Sequence, residues 1–282
     1  VSFTRYEPER APASSASGWD AWAGEYAQLG ETNAGYALGK RLLHEIVERF
    51  VSFPVDRRLR VLDFNCGAGE DVGRFLARGC QVVGCDGSPG MLHEAAVRNA
   101  ADLASGRLEL WLGQSETLAP ASFGSRSFDL IFSAVGGFAY LDDAMFVQVH
   151  RVLAGMLAPG GVMILAHLTP FCLADSVYYL SRLSPRAAVK RWRGVVPIEV
   201  RGQSLTMHLR SARRIRALLA GHVPIDRVLP LLVCTPPFQT GFRPTGWTAS
   251  WLQVLDRAAI GFPSLSLIAD QVVCIVNRPD DR

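Results

Sequence analysis

Apolar positions change period several times along the chain, and each change marks an element. From Trp19 apolar residues recur at helical spacing (Trp19, Trp22, Tyr26, Leu29), and a second helix follows from about Ala34 to Phe50 with Leu38, Leu42, Ile46 and Phe50 on one face. After Val55–Arg58 the chain alternates short apolar runs with helix-length segments. Arg60–Phe64, Gln81–Cys85, Leu108–Leu112, Phe128–Phe132 and Val162–Ala166 read as strands; Glu70–Arg78, Ser88–Asn99 and Ala144–Leu157 read as helices. Strands alternating with helices predict βαβ units and a parallel sheet, and strands without polar alternation fit a sheet covered on both faces. Beyond Leu168 the pattern loosens. A helix broken near Pro185 is expected over Phe171–Trp192, a strand or hairpin over Ile198–Leu209, and a helix over Ser211–Ala220 with Ser211 as its cap. Strands at Leu231–Cys234 and Gln271–Asn277 then bracket an insert rich in Pro and Trp.

Composition narrows the class. The 282 residues are 49% hydrophobic and 20% charged, with a formal charge of +3, which excludes wholesale disorder and advertises no nucleic-acid binder. No apolar run is long enough for a spanning helix. The six cysteines form no C-x-x-C pair and several sit in strand-like runs, so they are expected to be reduced and buried, with no metal site, in a cytoplasmic protein. Residues 1–17 have the composition of a disordered tail, leaving one domain over 18–282. Within it we expect a helical lid at 18–55, a binding core at 58–168, substrate or lid insertions at 169–270 and a last strand at 271–278.

The most informative stretch is Val61-Leu-Asp63-Phe-Asn65-Cys-Gly67-Ala-Gly69-Glu70-Asp71, a glycine-rich turn between the first core strand and a helix. Open α/β sheets bind nucleotide-like ligands there, and Asn65 tolerates the positive φ such a turn needs. Phosphates would lie on the helix N-terminus, but its first turn carries Glu70 and Asp71, with Asp63 close by. No GK[ST] follows, and the glycine spacing is not the dinucleotide fingerprint. This field suits a ligand with ribose and adenine, no phosphate and cationic groups, such as S-adenosylmethionine. Asp86, ending the second strand 17 residues after Gly69, can accept from both ribose hydroxyls; otherwise it would merely cap the next helix.

These residues resemble the motifs of class I S-adenosylmethionine-dependent methyltransferases, in particular those acting on small molecules. Asp63-x-Asn65-x-Gly67-x-Gly69 resembles the first motif, Asp86-Gly87-Ser-Pro-Gly-Met91-Leu92 the second and Leu112-Gly-Gln114-Ser115 the third. Phe128–Ser133 and Leu157–Val162 complete the order over residues 58–168. The resemblance implies a Rossmann-like three-layer α/β sandwich with a mostly parallel seven-stranded sheet. It assigns Asp63 to the methionine ammonium, the backbone of Asn65, Gly67 and Gly69 to the cofactor and Asp86 with Gly87 to ribose. Met91 would pack near adenine, Gln114 and Ser115 would read its edge, Tyr26 would close over the methionine end, and Ser133 would line the cofactor cleft. Asn65 replaces the usual first glycine and Gln114 the usual aspartate.

The substrate would lie above the fourth and fifth core strands. His167 is there either a catalytic base or a loop histidine with a structural hydrogen bond. Tyr140 either contacts substrate or packs. His150, mid-helix, reads as surface or satisfied core. Between 171 and 227 stand eleven Arg or Lys and three acids, a net +8 that leaves −5 for the rest. That segment is either a surface for an anionic or membrane-associated substrate or a solvated Arg-rich face. The sequence thus predicts methyl transfer to a small apolar or amphipathic metabolite by a monomer or homodimer, with no nucleic-acid partner, no transmembrane segment and peripheral membrane contact allowed. RNA or protein methylation, and a fold that binds the cofactor without methylating, are the alternatives.

Overall fold

A computed structural model describes residues 3–8, 18–124, 126–134 and 136–279. Its strands are β1 (Thr4–Arg5), β2 (Arg60–Phe64), β3 (Gln81–Asp86), β4 (Leu108–Leu112), β5 (Phe128–Ser133), β6 (Leu157–Leu168), β7 (Val195–Val200), β8 (Gln203–His208), β9 (Arg227–Leu231) and β10 (Gln271–Asn277). The helices are α1 (Gly18–Ala27), α2 (Leu29–Thr32), α3 (Ala34–Phe50), α4 (Glu70–Ala77), α5 (Pro89–Arg98), α6 (Ala100–Ala104), α7 (Asp143–Gly155), α8 (Leu173–Ser181), α9 (Pro185–Ala188), α10 (Ala212–Leu219) and α11 (Gly246–Ala259). Local chemistry sets several boundaries. Asn33, Ser88, Asp142 and Ser211 each accept an N–H from the first turn of the helix that follows.

Eight strands form one sheet in the order β1-β4-β3-β2-β5-β6-β10-β9. The pairs among β4, β3, β2, β5 and β6 are parallel, while β10 pairs antiparallel with β6 and β9. Alternate residues feed two apolar layers. Val61, Val82, Leu130, Ile164 and Val273 face α3, α4 and α5. Leu62, Val83, Ile131, Met163 and Val272 face α7 and α10. This is the three-layer α/β sandwich that the motifs imply.

The sequence reading needs three corrections. The sheet has eight strands rather than seven, because Thr4 and Arg5 pair antiparallel with Leu112 and Trp111. Phe3 and Tyr6 are buried beside them and the Tyr6 N–H donates to the Leu110 carbonyl at 2.7 Å, so residues 3–8 are not a loose tail. A two-residue strand leaves no alternation to read. The rest of the tail expected over residues 1–17 lies outside the described residues. The strand placed at Leu231–Cys234 is instead β9, ended by Leu232 at φ 58°. The apolar run 231–234 continues past the strand because Val233, Cys234 and Thr235 wrap the buried Asp256 carboxylate with their N–H groups. The expected hairpin forms as β7 and β8, a separate two-stranded sheet.

Candidate functional site

Asp63 is the penultimate residue of β2, 1% exposed, and its Oδ2 finds no partner among the described residues. Burial, reinforced by Asp71 and opposed by Lys40, pushes its pKa well above the carboxylate range. The chain then turns through Asn65, Gly67 and Gly69 with φ of 60°, 52° and 74°. Gly69 is the N-cap of α4, and a Cβ there would lie 2.8 Å from that of Ala95, so position 69 admits no side chain.

Asp86 closes the other side of the turn. Its Oδ2 accepts from the Gly67 N–H and its Oδ1 from the Ser88 N–H, both at 2.9 Å. Each oxygen keeps further acceptor capacity. Ser115 Oγ donates to Asn65 Oδ1 at 3.1 Å, leaving Asn65 Nδ2 without a partner. Gln114 is exposed and donates to the Gly87 carbonyl at 3.0 Å. Met91 is buried in a small apolar cluster with Ala23 and Ala68, packed by Trp19 and Tyr26. Ser133 is fully buried at the end of β5, its Oγ unpartnered.

The structure adds a lysine that the sequence reading passed over. Lys40 of α3 is 5% exposed and donates to Asp71 Oδ2, while His44 Nε2 lies 2.8 Å from Asp71 Oδ1. Burial works to raise the Asp71 pKa, yet Lys40 and His44 hold it far below the carboxylate range. Glu70 is paired with Arg74 at 2.8 Å. The acidic field read around the turn from Glu70, Asp71 and Asp63 therefore reduces to Asp63. Lys40 also lines a pocket with Tyr26, Tyr36, Asn65 and Ala134 beside the turn. One signal was available, since Lys40 is one of only two lysines and sits among apolar positions of α3.

Six aromatic rings run in sequence along this edge. Tyr140, Trp19, Trp22, Tyr26, Tyr36 and Phe238 contact one another in that order with centroids 5.3–6.0 Å apart. Tyr26 belongs to this row and also lies over Gly67, whose Cβ position is 3.1 Å from the Tyr26 ring. Asp20 fixes α1, accepting from Ser88 Oγ at 2.5 Å and the Gly90 N–H at 2.7 Å. Burial pushes the Tyr140 hydroxyl up to about 12, so it keeps its proton at neutral pH.

His167 is the penultimate residue of β6, not a loop residue, and is 4% exposed. His150 lies beside it, 1% exposed, with ring centroids 5.2 Å apart and both Nε2 atoms unpartnered. His150 is thus neither on the surface nor fully satisfied, since only its Nδ1 has a partner, the Phe146 carbonyl at 2.7 Å. Burial drives His150 down to about 4 and His167 well below its ordinary value, so both are neutral at pH 7. His167, His208 and Arg210 line a second pocket with Phe138 and Phe146.

The Arg-rich segment is not uniformly a solvated face. Arg210 is 4% exposed, donating to Asp143 at 2.9 Å and to the Leu141 carbonyl at 2.6 Å. Arg191 is buried against Asp270 at 2.6 Å. Arg214 pairs with Asp143 and Arg201 with Glu25. Among the described residues no cluster of His, Cys, Asp and Glu could hold a metal ion.

Residues 61–161 match the family described as Methyltransferase domain. Among solved structures, the DhpI–SAH complex is 18% identical over 94% of each chain, with a TM-score of 0.55. An S-adenosylmethionine-dependent methyltransferase from Clostridium acetobutylicum is 15% identical over 93% of this chain and 100% of that one (TM-score 0.54). Another, from Mesorhizobium loti, is 17% identical over 84% and 98% (TM-score 0.51). At these identities the likeness is one of fold. No curated protein matches the sequence. Residues 61–161 thus match a methyltransferase domain, and the sheet around them has the fold of S-adenosylmethionine-dependent methyltransferases.

Proposed function

We propose that the protein transfers the methyl group to a small, apolar or amphipathic metabolite. The row of six aromatic rings from Tyr140 to Phe238 carries this reading, because it favours an acceptor that buries apolar surface against it. The residues present fit the cofactor. The unpartnered Asp63 carboxylate suits the methionine ammonium, and Lys40, whose charge is shared with Asp71, suits the carboxylate. Asp86 accepts from the ribose hydroxyls with Gly87 beside it, Gln114 and Ser115 read the adenine edge, and Met91 packs on its face. Asn65, Gly67 and Gly69 bring the backbone close, and Ser133 lines the floor.

The cofactor supplies an electrophilic methyl on a sulfonium, and the chain has to align the acceptor and exclude water. His167 and Tyr140 are assigned to orient the acceptor. A neutral imidazole offers a hydrogen bond without holding a proton at pH 7, and the Tyr140 hydroxyl donates. Neither has the pKa of an efficient base at neutral pH. The pairing of Arg191, Arg201, Arg210 and Arg214 with acids supports a reading without a nucleic-acid partner. All six cysteines are free, which fits a cytoplasmic location.

Titration calorimetry with S-adenosylmethionine and S-adenosylhomocysteine tests the cofactor assignment. Asp86→Ala is expected to weaken both by about tenfold or more, at the 1.4 kcal/mol per decade of affinity. Unchanged binding would overturn it. Methyl-labelled cofactor incubated separately with small-molecule extract, RNA and protein should label only the first; label in RNA or protein refutes the acceptor class.

A further inference from the structure

One surface next to the inserted hairpin is left unexplained by methyl transfer. Along α8, Leu173, Val177 and Leu180 are spaced i, i+4, i+7 and all point outward, 42%, 56% and 54% exposed. Leu183 follows at 93% exposure and in the left-handed region, φ 56°, where a leucine is disfavoured. Val189 and Trp192 extend the patch, and Trp192 is held against it by ring contact with Phe171 at 5.5 Å and a hydrogen bond from its Nε1 to Ser176 Oγ at 3.4 Å.

Charge accompanies this apolar stripe. Arg182, Arg186, Lys190 and Arg193 are exposed on the same stretch. None of the four enters a salt bridge among the described residues, and no acid lies between Asp175, which is buried, and Glu199. Arg182 stacks over Tyr178 at 4.7 Å and Lys190 over Tyr179 at 4.7 Å, so two of the cations are gathered onto aromatic rings of α8. This arrangement differs from Arg191, Arg201, Arg210 and Arg214, which are all neutralised by carboxylates.

We propose that α8, α9 and the turn to Trp192 dock on an anionic lipid surface. Four exposed cations without a salt bridge among the described residues, set around six exposed apolar side chains, match the two forces that hold a protein at such an interface, attraction to acidic headgroups and shallow burial of Leu and Trp. A second copy meeting the patch by two-fold symmetry would set the same four cations against themselves. No helix among the described residues is long and apolar enough to cross a membrane, so the contact is peripheral. The surface leads through β7 and β8 toward His208 and Arg210 at the second pocket, so docking would present the proposed acceptor site to amphipathic molecules in the bilayer. That last link rests on the acceptor reading; the docking itself does not.

Sedimentation of the full chain with phosphatidylcholine vesicles, with and without phosphatidylglycerol, tests it in the absence of cofactor. Binding is expected only to the anionic vesicles, and to be lost at high salt. Leu183→Asp replaces leucine by a residue that tolerates positive φ, and Arg186→Glu/Arg193→Glu reverses two exposed charges. Each should weaken vesicle binding by about tenfold or more while leaving cofactor affinity unchanged. Three results would overturn the proposal: no binding to anionic vesicles at low salt, binding indifferent to both variants, or a dimer in light scattering that Leu183→Asp dissolves. Because cofactor affinity is measured separately, a failed methyltransferase reading and a failed docking reading give different results.

Discussion

The cofactor side of the sheet and the acceptor side handle buried polar groups in opposite ways. At the ends of β2 and β5, Asp63, Asn65 and Ser133 carry buried atoms with no hydrogen-bond partner among the described residues, beside a turn that passes through Gly67 and Gly69. On the side of β6 and β10, buried cations are paired, as in Arg191 with the buried Asp270 and Arg210 with the half-exposed Asp143. Unpaired buried groups cost stability and are kept where a ligand completes them; closed pairs hold inserts onto the core. Three residues cross this division. Asp71 lies on the cofactor side but is fully paired. His150 and His167 lie on the acceptor side with open nitrogens.

The largest effect should come from opening a closed pair. Lys40→Met leaves Asp71 buried without its main partner, and chemical denaturation should show a loss of about 3–5 kcal/mol. Lys40→Met/Asp71→Leu should recover much of it. Equal stability of wild type and single variant would mean that the pair does not exist in solution.

Next comes pH. His150 stays neutral in the folded protein down to about 4, whereas the unfolded chain protonates near 6.5. Its contribution is complete above pH 6.5 and is lost as pH falls toward 4, roughly 3 kcal/mol in all. His150→Leu should flatten that part of the stability profile, and an unchanged slope would place the imidazole in water.

The open side should respond differently. Asp63→Asn is expected to lower cofactor affinity about tenfold by calorimetry, while removing the burden of a buried carboxylate from the cofactor-free protein. Because burial raises the Asp63 pKa, its destabilising effect sets in as pH rises above the unfolded value near 3.8. Asp63→Asn should therefore stabilise the free protein at pH 7. A less stable variant would show that Asp63 already has a protein partner. The smallest effect is Ser115→Ala, which removes the donor to Asn65 Oδ1 and should weaken cofactor binding by about 1 kcal/mol or less.

The glycine turn was legible because its information is local. Asp63 to Asp71 are contiguous, Asp86 ends the next strand, and each of β2 to β5 is a largely apolar run of five or six residues. The lysine that neutralises Asp71 comes from 31 residues earlier, and Asp143 is 67 residues from Arg210. No spacing rule links such partners. The sequence therefore suggested a cationic ligand from three acids, of which two are already answered by the protein's own cations.

By itself the sequence determined the order of strands and helices over residues 58–168, the glycine turn after β2 and the acid that ends β3, because periodicity and glycine positions act within a few residues. Only the tertiary structure decided which charges remain uncompensated, that Thr4 and Arg5 complete the sheet, that His150 meets His167, and that six rings scattered from Trp19 to Phe238 form one row. Those outcomes depend on contacts between distant segments, where burial and pairing rather than residue type set the chemistry.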